Sequence, residues 1–186
     1  MQMNLIEDLK WRHACKAMNG NKVPQEKIDE ILEAIRLAPT SLGLQVYKVF
    51  VIENKAIREQ IYAEACPQQP VIGCSHLLVF AARTEVAAKD YDTYFGIMQS
   101  SRNKNDEYIA NYRAKIEGFV NDKVGANQPH WLVCQTYIGL GVACVAAANQ
   151  RVDSVPIEGF SREKMDQVLG LKDKGYKSTV LLPLGY

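Results

Sequence analysis

The segment Trp131–Ala148 constrains this chain more than any other, because it is almost wholly apolar and only Gln135 and Thr136 interrupt it. A helix apolar on every side is either a membrane span or the buried axis of a domain. Its small residues (Gly139, Gly141, Ala143, Ala146, Ala147, Ala148) permit close helix packing in both settings. No Lys/Arg cluster flanks it, and the amphipathic segments before and after it need a core, which favours the buried axis. With 186 residues, 47% of them hydrophobic, the chain suits one domain over residues 1–186. A chain of this size buries about 70% of its unfolded surface.

Around that axis the pattern alternates between helical and extended. Leu5, Leu9 and Met18 suggest a first helix leading into Arg12–Lys16. Pro24 opens a second, with Ile28, Ile31, Leu32 and Ile35 at helical spacing, and Pro39 stops it. Tyr47–Glu53, Leu77–Arg83, Val152–Val155 and Ser178–Leu184 read as strands, and Leu77–Arg83 is continuous enough to be buried on both faces. Ala56–Ala65 reads as a helix. So does the charged middle segment through Ile109, Tyr112, Ile116, Phe119 and Val120, and a third helix capped by Ser161 runs to Leu169. Several helices per strand predict an α+β domain with a mixed, mostly antiparallel central sheet flanked by helices.

Several function classes fall away. A formal charge of +1 supplies no field for nucleic acid, and the chain is polar from Asn4 with no apolar leader core. The five cysteines (Cys15, Cys66, Cys74, Cys134, Cys144) are odd in number and show no C-x-x-C spacing, as expected of free thiols in a reducing, cytoplasmic setting. His13, His76 and His130 belong to no metal-ligand pattern, so no metal site is expected. Gly139-x-Gly141-x-x-Cys144 lacks the third glycine of a dinucleotide fingerprint and lies within the helical run. No P-loop, nucleophile elbow or zinc-protease motif occurs, so any catalysis needs a cofactor to carry the reaction.

Arg12-His13-Ala14-Cys15-Lys16 is the first positive signal. Two cations four residues apart can grip a phosphate with a planar guanidinium and a polar ring edge with an ammonium, although cations at a helix end also simply answer its dipole. Later come Ala38-Pro39-Thr40-Ser41-Leu42-Gly43-Leu44-Gln45, Val155-Pro156-Ile157-Glu158-Gly159-Phe160 and Gly170-Leu171-Lys172-Asp173-Lys174-Gly175-Tyr176. Together these resemble the nitroreductase family. It carries an R-H/R-S-x-K segment, an A-P-S-S-x-N-x-Q-P-W turn, a P-I/M-E-G-F turn and a G-L-x-x-K-G-Y run, in that order.

The resemblance implies an FMN-dependent NAD(P)H oxidoreductase with two FMN sites at a homodimer interface and the long apolar helix at the dimer core. It assigns Arg12 to the ribityl phosphate and Lys16 to N1 and O2 of the isoalloxazine, with His13 and Ala14 beside them. A cation at N1 stabilises the reduced ring. Pro39, Thr40, Ser41 and Gly43 match the turn offered to the partner's FMN. Glu158 and Gly159 match the turn whose backbone approaches N5, and Gln68 or Gln69 pairs with the pyrimidine edge. No side chain is strictly required as acid or base; Lys16 and Glu158 support the flavin. Tyr94, Phe95 and Phe119 are candidates to shape the acceptor pocket.

The chain departs from the family at Ala14 (a serine there), Gly43 (an asparagine) and Val46-Tyr47 (Pro-Trp). The family's basic C-terminal tail is not seen after Tyr186, which leaves Arg12 as the main phosphate cation. The expected reaction is a ping-pong reduction of a nitroaromatic, quinone or similar small electron-poor acceptor. Alternatives are an FMN-binding or storage protein, a reductase of the same fold acting on a flavin, pteridine or enone, and a membrane-associated helical protein. Neither the acceptor nor the choice between NADH and NADPH is written in any motif.

Overall fold

A computed structural model describes residues 4–186. In chain order the principal elements are α1 (Leu5–Trp11), α2 (Gln25–Leu37), β1 (Tyr47–Ile52), α3 (Lys55–Glu64), α4 (Gln69–Gly73), β2 (His76–Arg83), α5 (Ala88–Arg102), α6 (Asp106–Gly118), α7 (Gln128–Asn149), β3 (Asp153–Ser154), α8 (Arg162–Leu169) and β4 (Tyr176–Gly185). The strands form one sheet in the order β1-β2-β4-β3, every named pair antiparallel. An isolated bridge between Ala14 and Ser154 adds a parallel contact outside β3, so the sheet is mixed and mostly antiparallel as expected.

Strands β2 and β4 are buried on both faces because the sheet is the middle of three layers. Leu78, Phe80, Val180, Leu182 and Leu184 face one way, onto Ile28, Ile31 and Ile35 of α2 and Leu140, Ala143 and Ala147 of α7. Leu77, Val79 and Leu181 face the other way, onto Ile61 of α3, Val71 of α4 and Met165 of α8. Alternation along a strand sends neighbours to opposite faces, so an unbroken apolar run is what a doubly covered strand needs. A third cluster, with Leu44, Tyr91, Phe95, Met98, Ile116 and Leu132, seats α5 and α6 beyond the sheet.

The two polar residues of the apolar helix have identifiable partners. Register shifts between Phe80 and Ala81, leaving Thr179 as the extra residue of a β-bulge. The Thr179 hydroxyl donates to the Phe80 carbonyl at 2.9 Å and lies 2.9 Å from the Thr136 hydroxyl of α7. Gln135 donates to the Trp131 carbonyl at 2.8 Å, and its oxygen accepts from the Ser41 amide at 2.8 Å. The helical run Asp106–Asn149 is long and apolar enough to cross a membrane, but its apolar part lies on the sheet and is only 44% buried there. It is the helical half of a core, with one side left open, rather than an axis buried all round.

Other expectations shift slightly. Met18 is buried but lies beyond α1, which ends at Trp11. The charged middle segment is α6, which passes into a π-helical turn over Phe119–Val124, and a helix not expected from sequence, α5, precedes it. All five cysteines are free; Cys66 and Cys74 are buried, while Cys15, Cys134 and Cys144 are only half-buried.

Candidate functional site

The expected residues form two groups. The first gathers at the β3 edge. Arg12 closes α1 with extended backbone, and Ala14 bridges to Ser154, so the segment lies alongside β3 rather than continuing as a helix. In extended backbone alternate residues share a side, which places Arg12 and Lys16 on one side about 13 Å apart, the reach of an elongated ligand rather than of a helical i,i+4 pair. Arg12 is half-buried and Lys16 exposed, and neither pairs with a carboxylate among the described residues.

Gln68 and Gly159 meet each other on the same side of the molecule. The Gln68 amide donates to the Gly159 carbonyl at 3.0 Å, and its own oxygen has no partner among the described residues. Gln69 does something else: its oxygen accepts from Met18 N–H and its nitrogen donates to Met18 C=O, both at 2.9 Å. That separates the two glutamines, since Gln69 clamps the loop after Lys16 while Gln68 faces the Glu158 turn. The turn itself is anchored by Ile157, which exchanges two backbone hydrogen bonds with Leu181 at 2.9 and 3.0 Å. A Cβ on Gly159 would lie 3.7 Å from Gln68 Nε2, so this chain leaves room there, and the Gly159 N–H has no partner among the described residues.

Tyr137 of α7 overlooks the turn. Burial raises its phenol pKa, and the nearby Glu158 carboxylate adds to this while Arg162 opposes it. Arg162 stacks over Phe160 at 5.5 Å. One helical repeat further along, burial raises the Cys144 thiol pKa while Arg12 lowers it, which puts Cys144 near Arg12. Tyr137 and Cys144, seven residues apart, thus mark the side of α7 turned toward the first group. Sequence reasoning placed neither beside these residues, because both read as members of an apolar run.

The second group lies on the other side of α7. Ser41–Gly43 is a tight turn in which Leu42 has φ 59° and Gly43 φ 71°, with Gln45 following at 51°. It is held by the Gln135 contact to Ser41 and by Thr40 Oγ1, which accepts from Gln45 N–H at 3.0 Å. The left-handed conformation explains the departure at Gly43, since asparagine and glycine are the residues that tolerate it. Gly139 admits the Tyr47 ring, whose hydroxyl occupies the space a Cβ there would need.

Beyond the turn opens a cavity of about 690 Å³, lined by Pro39, Thr40, Gly43, Lys48, Tyr94 and the ion-paired Arg83–Asp90 among others. Tyr94 lines it. Phe95 does not: it is core, packed edge-on to Tyr94 and Tyr112. Phe119 is 41% exposed on the π-helical turn and does not line the cavity.

The expected residues are therefore not brought together within one chain. Its two groups lie on opposite faces of α7 and at opposite edges of the sheet, about 19 Å apart at the strand spacing. Between them runs an open stripe of α7: Ile138 and Gly141 are exposed, and Cys134 and Val145 are half-buried.

The chain matches the model of the nitroreductase family over residues 9–186. It is 30% identical over 190 residues to the major NAD(P)H-flavin oxidoreductase of Aliivibrio fischeri, covering 98% of this chain and 87% of that protein. A nitroreductase-like protein from Streptococcus mutans superposes with a TM-score of 0.86 at 18% identity, over 97% of this chain and 87% of that one. A protein from Exiguobacterium sibiricum solved in complex with FMN superposes with a TM-score of 0.85 at 18% identity, over 100% and 89%. Motif order, fold and a match spanning nearly all of the sequence agree, and the chain belongs to the nitroreductase family.

Proposed function

We propose that this protein is a cytoplasmic FMN-dependent NAD(P)H oxidoreductase that works as a homodimer, reducing small nitroaromatic, quinone or similar electron-poor acceptors by a ping-pong two-electron cycle. The observation that carries the reading is the divided site: Arg12, Lys16, Gln68 and Glu158–Gly159 on one side of α7, and the Pro39–Gly43 turn on the other, with an apolar stripe exposed between them. A second copy seated on that stripe supplies its own turn to the first copy's cationic group, which one chain cannot do alone.

The residues present fit FMN. Arg12 offers a paired-donor cation without a competing carboxylate, suited to a phosphate carrying nearly two negative charges. Lys16, on the same side of the extended segment, sets a positive charge toward the ring end. Gln68 keeps a free carbonyl oxygen for a ring N–H, and Gly159 presents an unpaired amide in open space where a side chain would intrude. When bound, FMN supplies the hydride chemistry, accepting two electrons from NADH or NADPH and passing them on. The protein's own task is to bind, orient and exclude water. The Pro39–Gly43 turn and Tyr94 wall the acceptor side, and the cavity behind them has the volume of an ordinary small-molecule site.

The test is the visible spectrum of the purified protein after reconstitution with FMN, followed anaerobically while NADH or NADPH is added. A bound flavin band that bleaches on addition is the expected outcome. No bound flavin refutes the reading, and a band that does not bleach leaves a flavin-binding protein without turnover.

A further inference from the structure

The flavin reading uses one side of the Arg12–Lys16 segment and leaves the other idle. On that other side the imidazole of His13, the thiol of Cys15 and the carboxylate of Asp153 converge, with their ligand atoms all within 4.8 Å of one another. We infer that these three residues form a binding site for a divalent transition-metal ion of the Zn²⁺ class, contrary to the expectation from sequence that no histidine here belongs to a ligand set.

The backbone builds the cluster. Residues two apart in an extended segment share a side, so His13 and Cys15 project together, opposite Arg12, Ala14 and Lys16. Ala14 bridges in parallel to Ser154, and Cys15 N–H donates to Ser154 C=O at 3.4 Å, which sets Asp153 at the end of β3 beside them. Asp153 is itself held by its pairing with Gly185. The third ligand thus lies far from the first two in sequence, and no spacing rule could reveal it.

The donor set selects the ion. One thiolate sulfur, one imidazole nitrogen and one carboxylate oxygen suit Zn²⁺, whose bonds of about 2.0–2.3 Å in a tetrahedron put ligand atoms about 3.5 Å apart. The observed separations need side-chain closure of roughly an ångström, on a half-buried or exposed surface where rotation is free. Three protein ligands leave a fourth position for water. Neither His13 nor Asp153 has an ion-pair partner among the described residues. Cys15 Sγ now donates to Ala17 C=O at 3.1 Å; on binding, that proton leaves to solvent and the thiolate takes the metal. His13 then contributes its imidazole here, and only its backbone remains available to the opposite side.

The experiment uses the full chain, freed of metal by a chelator, titrated with Co²⁺ and then Zn²⁺. One equivalent of Co²⁺ per chain should develop ligand-field bands to the red of flavin absorption, together with a thiolate charge-transfer band, and Zn²⁺ should displace both. C15S and D153N should each weaken Zn²⁺ by more than the roughly 10–100-fold that loss of an outer-shell partner costs. C134S, which removes the thiol beside His130 on α7, should leave Zn²⁺ affinity unchanged. Absence of a cobalt–thiolate band in the wild-type chain overturns the site without reliance on any variant. So does unchanged affinity in both C15S and D153N, or loss of binding in C134S instead. These readouts are independent of flavin content, so they stand or fall apart from the proposed reductase activity.

Discussion

The amide of Gln69 engages both polar backbone groups of Met18, whereas its neighbour Gln68 keeps one oxygen free beside Gly159. Nothing in the pair of letters distinguishes them, and only the direction of each side chain does. Replacing Gln69 with alanine should strand a donor and an acceptor at the buried Met18 and lower stability by about 1–2 kcal/mol in chemical denaturation. Gln68→Ala should change stability by less than about 0.5 kcal/mol while weakening FMN binding in a fluorescence titration. If Gln68→Ala binds FMN as well as the parent chain, the pyrimidine edge is recognised by something else. The same scale explains Gly43 and Gly159 differently. Gly43 is favoured by its own backbone angle, whereas Gly159 has room for a side chain within this chain.

Among the elements, α7 shows both what hydrophobic pattern conveys and what it hides. Its length and apolar character were legible from Trp131 to Ala148, and its ends fall at Gln128 and Asn149. The distinction among its faces was not, because residues turned to the sheet, to Tyr47, to Glu158 and to open solvent are all apolar or small. Placing a charge on the open face should separate the possibilities. Ile138→Arg should yield a monomer by light scattering with unchanged circular dichroism, and it should lose flavin, since each site then lacks the opposing Pro39–Gly43 turn. A dimer that keeps flavin would mean that α7 is not the contact. Helix α5 was missed for a related reason. Tyr91, Phe95 and Met98 recur at helical spacing, but they bury against a local cluster beyond the sheet and stand within a polar sequence.

For the molecule as a whole, stability should fall in acid in two windows. Burial lowers the pKa of His76, with Glu53 opposing and Lys22 and Arg58 assisting, so the unfolded chain takes up the proton first. Stability is then full above the ordinary value of 6.5 and declines as pH drops below it. His76→Gln should flatten that part of a thermal-denaturation profile; an unchanged slope would show that another group titrates there. Asp8 is lowered by its hydrogen bond from Asn149 and by Arg151, and so contributes stability above 3.8 that disappears as pH falls through its depressed pKa. Because Asn149 and Arg151 lie at the end of α7, acid should loosen α1, and with it Arg12, before the sheet. By itself the sequence determined the class of fold, the apolar helix, the strands and the set of segments that mark the family, since periodicity and turn chemistry are local and survive in one dimension. Only the tertiary structure decided that those segments divide between two faces of one helix, that Gln68 and not Gln69 meets the Glu158 turn, and that Asp153 joins His13 and Cys15. Those outcomes depend on side-chain direction and on strand neighbours far apart in the chain, which a linear pattern does not carry.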